Sequence, residues 1–152
     1  MSEFELAMQR RRDMNSGALW ASQIKPWLFL GRGTDAANLE RLREHRVTHI
    51  LNVADDVPNF HVNLGEFTYK NLHVGDFGSD KGISRCFGDS IAFLNNVREN
   101  DKVVLVHCAN GSNRSATVVV AFIMKTETMS FEEALAAVKE KRREAIPLQD
   151  NV

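Results

Sequence analysis

A cysteine and an arginine stand six positions apart in VLVHCANGSNRSATVVV, residues 104–120, with Gly111 midway between them and an apolar run on either side. A thiol and a guanidinium aimed at one point describe a nucleophile beside an anion. Arg114 offers a planar fork that matches two oxygens of a phosphate. Gly111 lets the backbone curl so that successive amides converge on the same anion. A helix starting at this loop adds its free N–H groups and the positive end of its dipole. Cys108 sits at the mouth of that cradle, where every one of these positive groups favours the thiolate. The thiolate alone does not explain phosphoryl chemistry. A free thiol is about 3% ionised at pH 7, so complete ionisation gains roughly thirtyfold, partly offset by lower nucleophilicity. Phosphate-monoester hydrolysis needs the largest accelerations known. Most of the effect must come from the loop and Arg114 gripping the transferring oxygens.

Positioning such a loop takes a strand before it and a helix after it. Residues 102–107 form the most apolar strand-like run. Residues 113–125 are apolar on nearly every side and include four β-branched residues, Thr117 to Val120. Propensity alone favours a strand there. A strand–loop–helix step makes sense of Gly111 and Arg114, so the expectation is a buried central helix. Elsewhere, residues 19–24 and 27–30 read as strands parted by Lys25-Pro26, and residues 47–54 and 67–74 as two more. Helical spacing of Ala36, Leu39 and Leu42 predicts a helix over 35–45. A second is predicted over 83–99, with Phe87, Ile91, Phe93, Leu94 and Val97 inward. A third spans 130–143, opened by a Ser130–Glu133 capping box and striped by Phe131, Ala134, Leu135 and Val138. Strands interleaved with helices predict an α/β fold with a mostly parallel sheet.

Composition narrows the class. The chain has 152 residues, 43% hydrophobic and 26% charged, enough for one domain with a full core. A net charge of -1 gives no global field toward nucleic acid or membrane, so any anion site must be local. Two cysteines, Cys86 and Cys108, are too few for a disulfide framework and point to the cytoplasm, with the nucleus as a second compartment. Cys86 reads as a small apolar helix residue. The longest apolar stretch, 118–124, is far too short to span a bilayer. The opening MSEFELAMQRRR mixes acids with bases and does not read as a signal peptide. Residues 1–16 are expected to be a leader, either docking or flexible, and 17–152 the catalytic domain. The basic clusters Arg10–Arg12 and Lys139, Lys141, Arg142 and Arg143 read as a docking element and a solvated helix end, respectively.

The set His107, Cys108, Gly111, Arg114 and Ser115 resembles the HCxxGxxR(S/T) signature of cysteine-dependent protein phosphatases. Upstream, IKPWLFLGRGTDAANLERLREHRVTHILNVA is similar to the opening of the small atypical dual-specificity phosphatases, and ISRCF resembles the segment after their acid loop. The likeness covers residues 24–141. It implies a central five-stranded, mostly parallel sheet flanked by helices, with the phosphate-binding loop between the last strand and a buried helix. It implies hydrolysis of phosphotyrosine and phosphoserine or phosphothreonine through a phosphocysteine, with neither metal nor cofactor. Phosphorylated proteins are the implied partners, together with kinases of a signalling pathway; nucleic acid and membrane are not.

Carried over by position, the resemblance makes Cys108 the nucleophile. The backbone amides of Ala109, Asn110, Gly111, Ser112, Asn113 and Arg114, with the Arg114 side chain, hold the phosphate. Ser115 hydrogen-bonds the thiolate and eases its departure. His107 orients Cys108 from behind the loop, the plainer alternative being a core histidine that serves folding. The leaving oxygen needs a proton, and the loop 75–82 offers Asp76 and Asp80. Asp76 fits the family's placement better. Its spacing to Ile83 is longer than the common pattern, which keeps Asp80 open. Two features depart from the family. Asn110 and Asn113 replace its usual small residues, and GSNRS is similar to the GxNR of RNA 5′-triphosphatases in the same superfamily. After Pro147 the family often adds a helix, where this chain stops at Val152. An RNA 5′-phosphatase and a phosphoprotein-binding scaffold are therefore the alternatives.

Overall fold

A computed structural model of the chain describes residues 2–7, 20–75, 83–110, 114–143 and 145. Its sheet has five strands: β1 (Ser22–Lys25), β2 (Leu28–Gly31), β3 (His49–Ala54), β4 (Thr68–Val74) and β5 (Val104–His107). Their order is β1-β2-β5-β3-β4. Only β1 runs antiparallel to its neighbour; the β2–β5, β5–β3 and β3–β4 pairs are all parallel. The mostly parallel sheet anticipated from the alternating pattern is thus the one found. Pro26, which cannot donate to a ladder, lies in the tight turn between β1 and β2. Both strands end one residue later than expected, and β1 starts three residues later and β2 one.

Among the described residues from 20 onward, five helices follow in chain order: α1 (Gly33–Ala37), α2 (Leu39–Glu44), α3 (Phe87–Glu99), α4 (Arg114–Thr126) and α5 (Phe131–Lys141). The side chains of the central strands alternate between two cores, as a pleated sheet requires. Leu28, Leu30, Leu51, Val53, Val104 and Val106 pack with α3, α4 and α5. Phe29, Ile50 and Leu105 face the other way, against Ala36 of α1 and Leu42 of α2. Strand β5 is buried at all four positions because helices cover both of its faces. Helix α4 is buried at every residue from Arg114 to Ile123. Its β-branched run stays helical because burial against the sheet outweighs local propensity.

Three expectations need correction. The single helix over 35–45 is two, broken at Asn38, whose side chain accepts the Arg41 N–H at 3.2 Å and so starts α2. A short polar side chain that bonds nearby backbone competes with helix continuation. The helix over 83–99 opens with a 3-10 turn, Ile83–Cys86, before α3. Arg142 is not part of a solvated helix end. It is 5% exposed, and its Nη1 donates to Ser22 Oγ at 3.1 Å and to the Leu30 carbonyl at 3.2 Å. The end of α5 is thereby tied to β1 and β2. The capping box of α5 is as anticipated: Ser130 Oγ accepts from Glu133 N–H, and Glu133 Oε1 from Ser130 N–H, each at 3.1 Å. Residues 3–7 form a short helical turn. Arg10–Arg12 and the segment from Pro147 lie outside the described residues.

Candidate active site

Parallel strands bring their carboxyl ends to one edge of the sheet, where α/β folds bind ligands. Here β5 ends at His107, β3 at Ala54, β2 at Gly31 and β4 at Val74. Cys108, the next residue after β5, is 1% exposed. Its Sγ lies 3.1 Å from the Ser115 Oγ in the first turn of α4. The hydroxyl can donate to the sulfur when the sulfur is a thiolate.

Arg114 opens α4, and its side chain is 3% exposed. Nη1 donates to Asp56 Oδ1 at 3.0 Å and to the Val74 carbonyl at 2.9 Å. Asp55 Oδ1 stands 3.6 Å away. Those two bonds use both hydrogens on Nη1, and the fork that remains for an anion is Nε with Nη2. Neither aspartate was singled out from the sequence. The signal was their place directly after β3, at the ligand-binding edge of a parallel sheet.

Asn52 was missed as well. It is fully buried, and its Nδ2 donates to the Val57 carbonyl at 2.7 Å and to Asn59 Oδ1 at 3.0 Å. Its Oδ1 accepts the Ala54 N–H at 3.1 Å. The loop that carries Asp55 and Asp56 is thus fastened to β3. On the other side, the Gly33 N–H donates to the Ala109 carbonyl at 2.9 Å. A Cβ on Gly33 would come within 3.2 Å of Val57 Cγ1 and 3.5 Å of the Cys108 carbonyl. The glycine permits this close approach of the β2–α1 turn to the loop.

His107 is 1% exposed and lies in register between Gly31 of β2 and Asn52 of β3. Its Nδ1 is 3.1 Å from the Cys108 carbonyl. A carbonyl only accepts, so Nδ1 carries the proton and Nε2 does not. Burial pushes the imidazole below its ordinary range, opposed by the bond to Cys108 and by the charge of Asp35. The ring is therefore neutral near pH 7 and grips the backbone of Cys108 from behind. Its Nε2 is buried and has no partner among the described residues.

The structure brings together His107, Cys108, Arg114 and Ser115, with Ala109 and Asn110 exposed at the start of the loop. Gly111, Ser112 and Asn113 lie outside the described residues, as do Asp76 and Asp80. Cys86 is buried apart from this chemistry, its Sγ 3.8 Å from the Leu72 carbonyl.

Comparison with known proteins shows the family. The family described as dual specificity phosphatase, catalytic domain, matches residues 28–151. Dual specificity protein phosphatase 19 of Mus musculus is 44% identical over 124 residues, which cover 82% of this chain and 55% of that protein. Dual specificity protein phosphatase 6 of Homo sapiens is 38% identical over 133 residues, covering 88% of this chain and 35% of that protein. The chain thus spans about half and about a third of these two relatives. The crystal structure of DUSP15 superposes with a TM-score of 0.77 at 30% identity, over 84% of this chain and 80% of that one. With the match running from β2 past α5 and across the whole loop between β5 and α4, the chain belongs to the family of dual specificity phosphatase catalytic domains.

Proposed function

We propose that the chain is a cysteine-dependent protein phosphatase that hydrolyses phosphotyrosine and phosphoserine or phosphothreonine in proteins. The observation that carries this reading is Cys108 Sγ, 3.1 Å from Ser115 Oγ, at the start of a loop that ends in the buried guanidinium of Arg114. In the first step the Cys108 thiolate attacks phosphorus, the ester P–O bond breaks, and the leaving oxygen takes a proton from a carboxylic acid. The loop amides from Ala109 to Arg114 and the Nε–Nη2 fork hold the three equatorial oxygens, where charge spreads in the transition state. In the second step water attacks the phosphocysteine, gives its proton to the same carboxylate, and the sulfur leaves as thiolate. Ser115 donates to that sulfur. His107 keeps the Cys108 carbonyl fixed throughout.

The acid is assigned to Asp76. Asp76→Asn is expected to lower kcat/KM on a phosphopeptide by about 10²–10⁴-fold, the usual worth of general acid–base catalysis. The loss is smaller on an aryl phosphate, whose leaving group needs less protonation. Asp80→Asn is expected to have a modest effect. Steady-state kinetics on both variants check the ranking, and the reverse order moves the assignment to Asp80.

A second reading rests on Asn113, which gives the loop its GSNR ending. An RNA 5′-triphosphate carries several more negative charges than a phosphotyrosine and calls for extra cations round the site. Between Ala109 and Asn113 the loop has none, and Arg114 is its sole charge. The test compares kcat/KM on a phosphotyrosine peptide and on a short 5′-triphosphorylated RNA at one moderate salt concentration. The peptide is expected to win. A tenfold advantage for the RNA would overturn the protein-phosphatase reading, and binding of phosphopeptide with no turnover at all would favour a scaffold.

A further inference from the structure

We infer that Asp56 is a positioning residue for Arg114, setting the plane of its guanidinium while costing the site some affinity for anions. The inference rests on the phosphatase reading of the same loop.

An arginine side chain has many rotamers, and a bidentate grip on phosphate uses one plane of the guanidinium. Two acceptors from different parts of the fold select that plane. Val74 at the end of β4 offers its carbonyl at 2.9 Å, and Asp56 offers Oδ1 at 3.0 Å, both to Nη1. The backbone that carries Asp56 is itself held on both sides. Before it, the Asp55 N–H donates to the same Val74 carbonyl at 3.0 Å. After it, Asn52 Nδ2 holds the Val57 carbonyl at 2.7 Å. A carboxylate on so fixed a stretch of chain is a firm reference point, although its side chain is 52% exposed.

That exposure decides what the pairing is for. The carboxylate side of the pair is screened by water, and the Val74 carbonyl keeps the buried guanidinium hydrogen-bonded without it, so fold stability is not its main product. Nor does it help the site attract its ligand. Asp56 and Asp55 place two negative charges beside the guanidinium that must receive a phosphate dianion, and like charges weaken such binding. What remains is geometry: one hydrogen of Nη1 is directed away from the anion, and Nε with Nη2 is turned toward it.

Asparagine keeps an oxygen at the Oδ1 position and removes the charge, whereas alanine removes both. The experiment measures tungstate binding by calorimetry and kcat on an aryl phosphate for the wild type, Asp56→Asn and Asp56→Ala, with thermal melting as the check on folding. Asp56→Asn is expected to keep kcat within about threefold and to bind tungstate severalfold more tightly, because the repulsion is gone. Asp56→Ala is expected to lose about tenfold in kcat and to bind tungstate about tenfold more weakly than Asp56→Asn, a difference of about 1.4 kcal/mol. Equal behaviour of the two variants in both measurements overturns the inference, whether they match the wild type or are damaged alike. A wild type without turnover sinks the phosphatase reading instead, and the order of tungstate affinities still decides the role of Asp56.

Discussion

Cys108→Ser is expected to abolish turnover while tungstate still binds in the loop. The substituted side chain keeps nearly the same shape, so Arg114, its partners Asp56 and Val74, and the amides of the cradle are undisturbed. The chemistry fails because an alcohol is a far weaker acid and a poorer nucleophile than a thiol. Ser115 at 3.1 Å cannot act as a base for the new hydroxyl, since it is itself an alcohol. Losing the nucleophile of a working set costs about 10⁴-fold or more in kcat. Aryl-phosphate turnover and calorimetric binding of tungstate check the two halves separately. Turnover within a hundredfold of the wild type would show that another group attacks phosphorus. Cys86 does not qualify, since it stands in the 3-10 turn before α3, outside the loop that Arg114 closes, with its thiol directed to the Leu72 carbonyl.

What the sequence disclosed of this site, and what it hid, follows from distance along the chain. Cys108, Ser115 and Arg114 lie within one strand–loop–helix step, so spacing and apolar flanks were enough to group them. The capping box at Ser130 was legible for the same reason, since its two bonds join residues three apart. Asp56 meets Arg114 across 58 positions, and Arg142 meets Ser22 across 120. No local pattern carries such contacts. They depend on β3 lying beside β5, and on β1 and β2 lying next in the sheet, which alternating strands and helices alone do not specify. Once that order is known, parallel register sets Asn52 opposite His107 and brings the residues after β3 to the mouth of the loop. The break at Asn38 was hidden differently. The apolar spacing of Ala36, Leu39 and Leu42 runs through it, and only the turn of the backbone at ψ 87° separates α1 from α2.

Arg114→Lys is expected to lower kcat/KM by about 10³–10⁵-fold, the range set by other arginines that stabilise phosphoryl-transfer transition states. The substitution keeps the charge, so any large loss must come from geometry. Lysine presents one point charge with no planar fork. The nearest acceptors for a shorter cation at this buried position are the ones Nη1 already uses, Asp56 Oδ1 and the Val74 carbonyl. Drawn to them, an ammonium would face away from the phosphate. The loss should fall chiefly on kcat, because the equatorial oxygens gain their charge as the bond breaks and a grip tuned to that stage acts on the transition state more than on bound substrate. Kinetics on an aryl phosphate separate the two, with the protein's melting temperature compared to exclude unfolding. The damage should also exceed that of Asp56→Ala, which loosens the guanidinium without removing it. If Arg114→Lys stays within tenfold of the wild type, a positive charge at the head of α4 suffices and the fork held by Asp56 and Val74 is not what stabilises the transferring phosphoryl group.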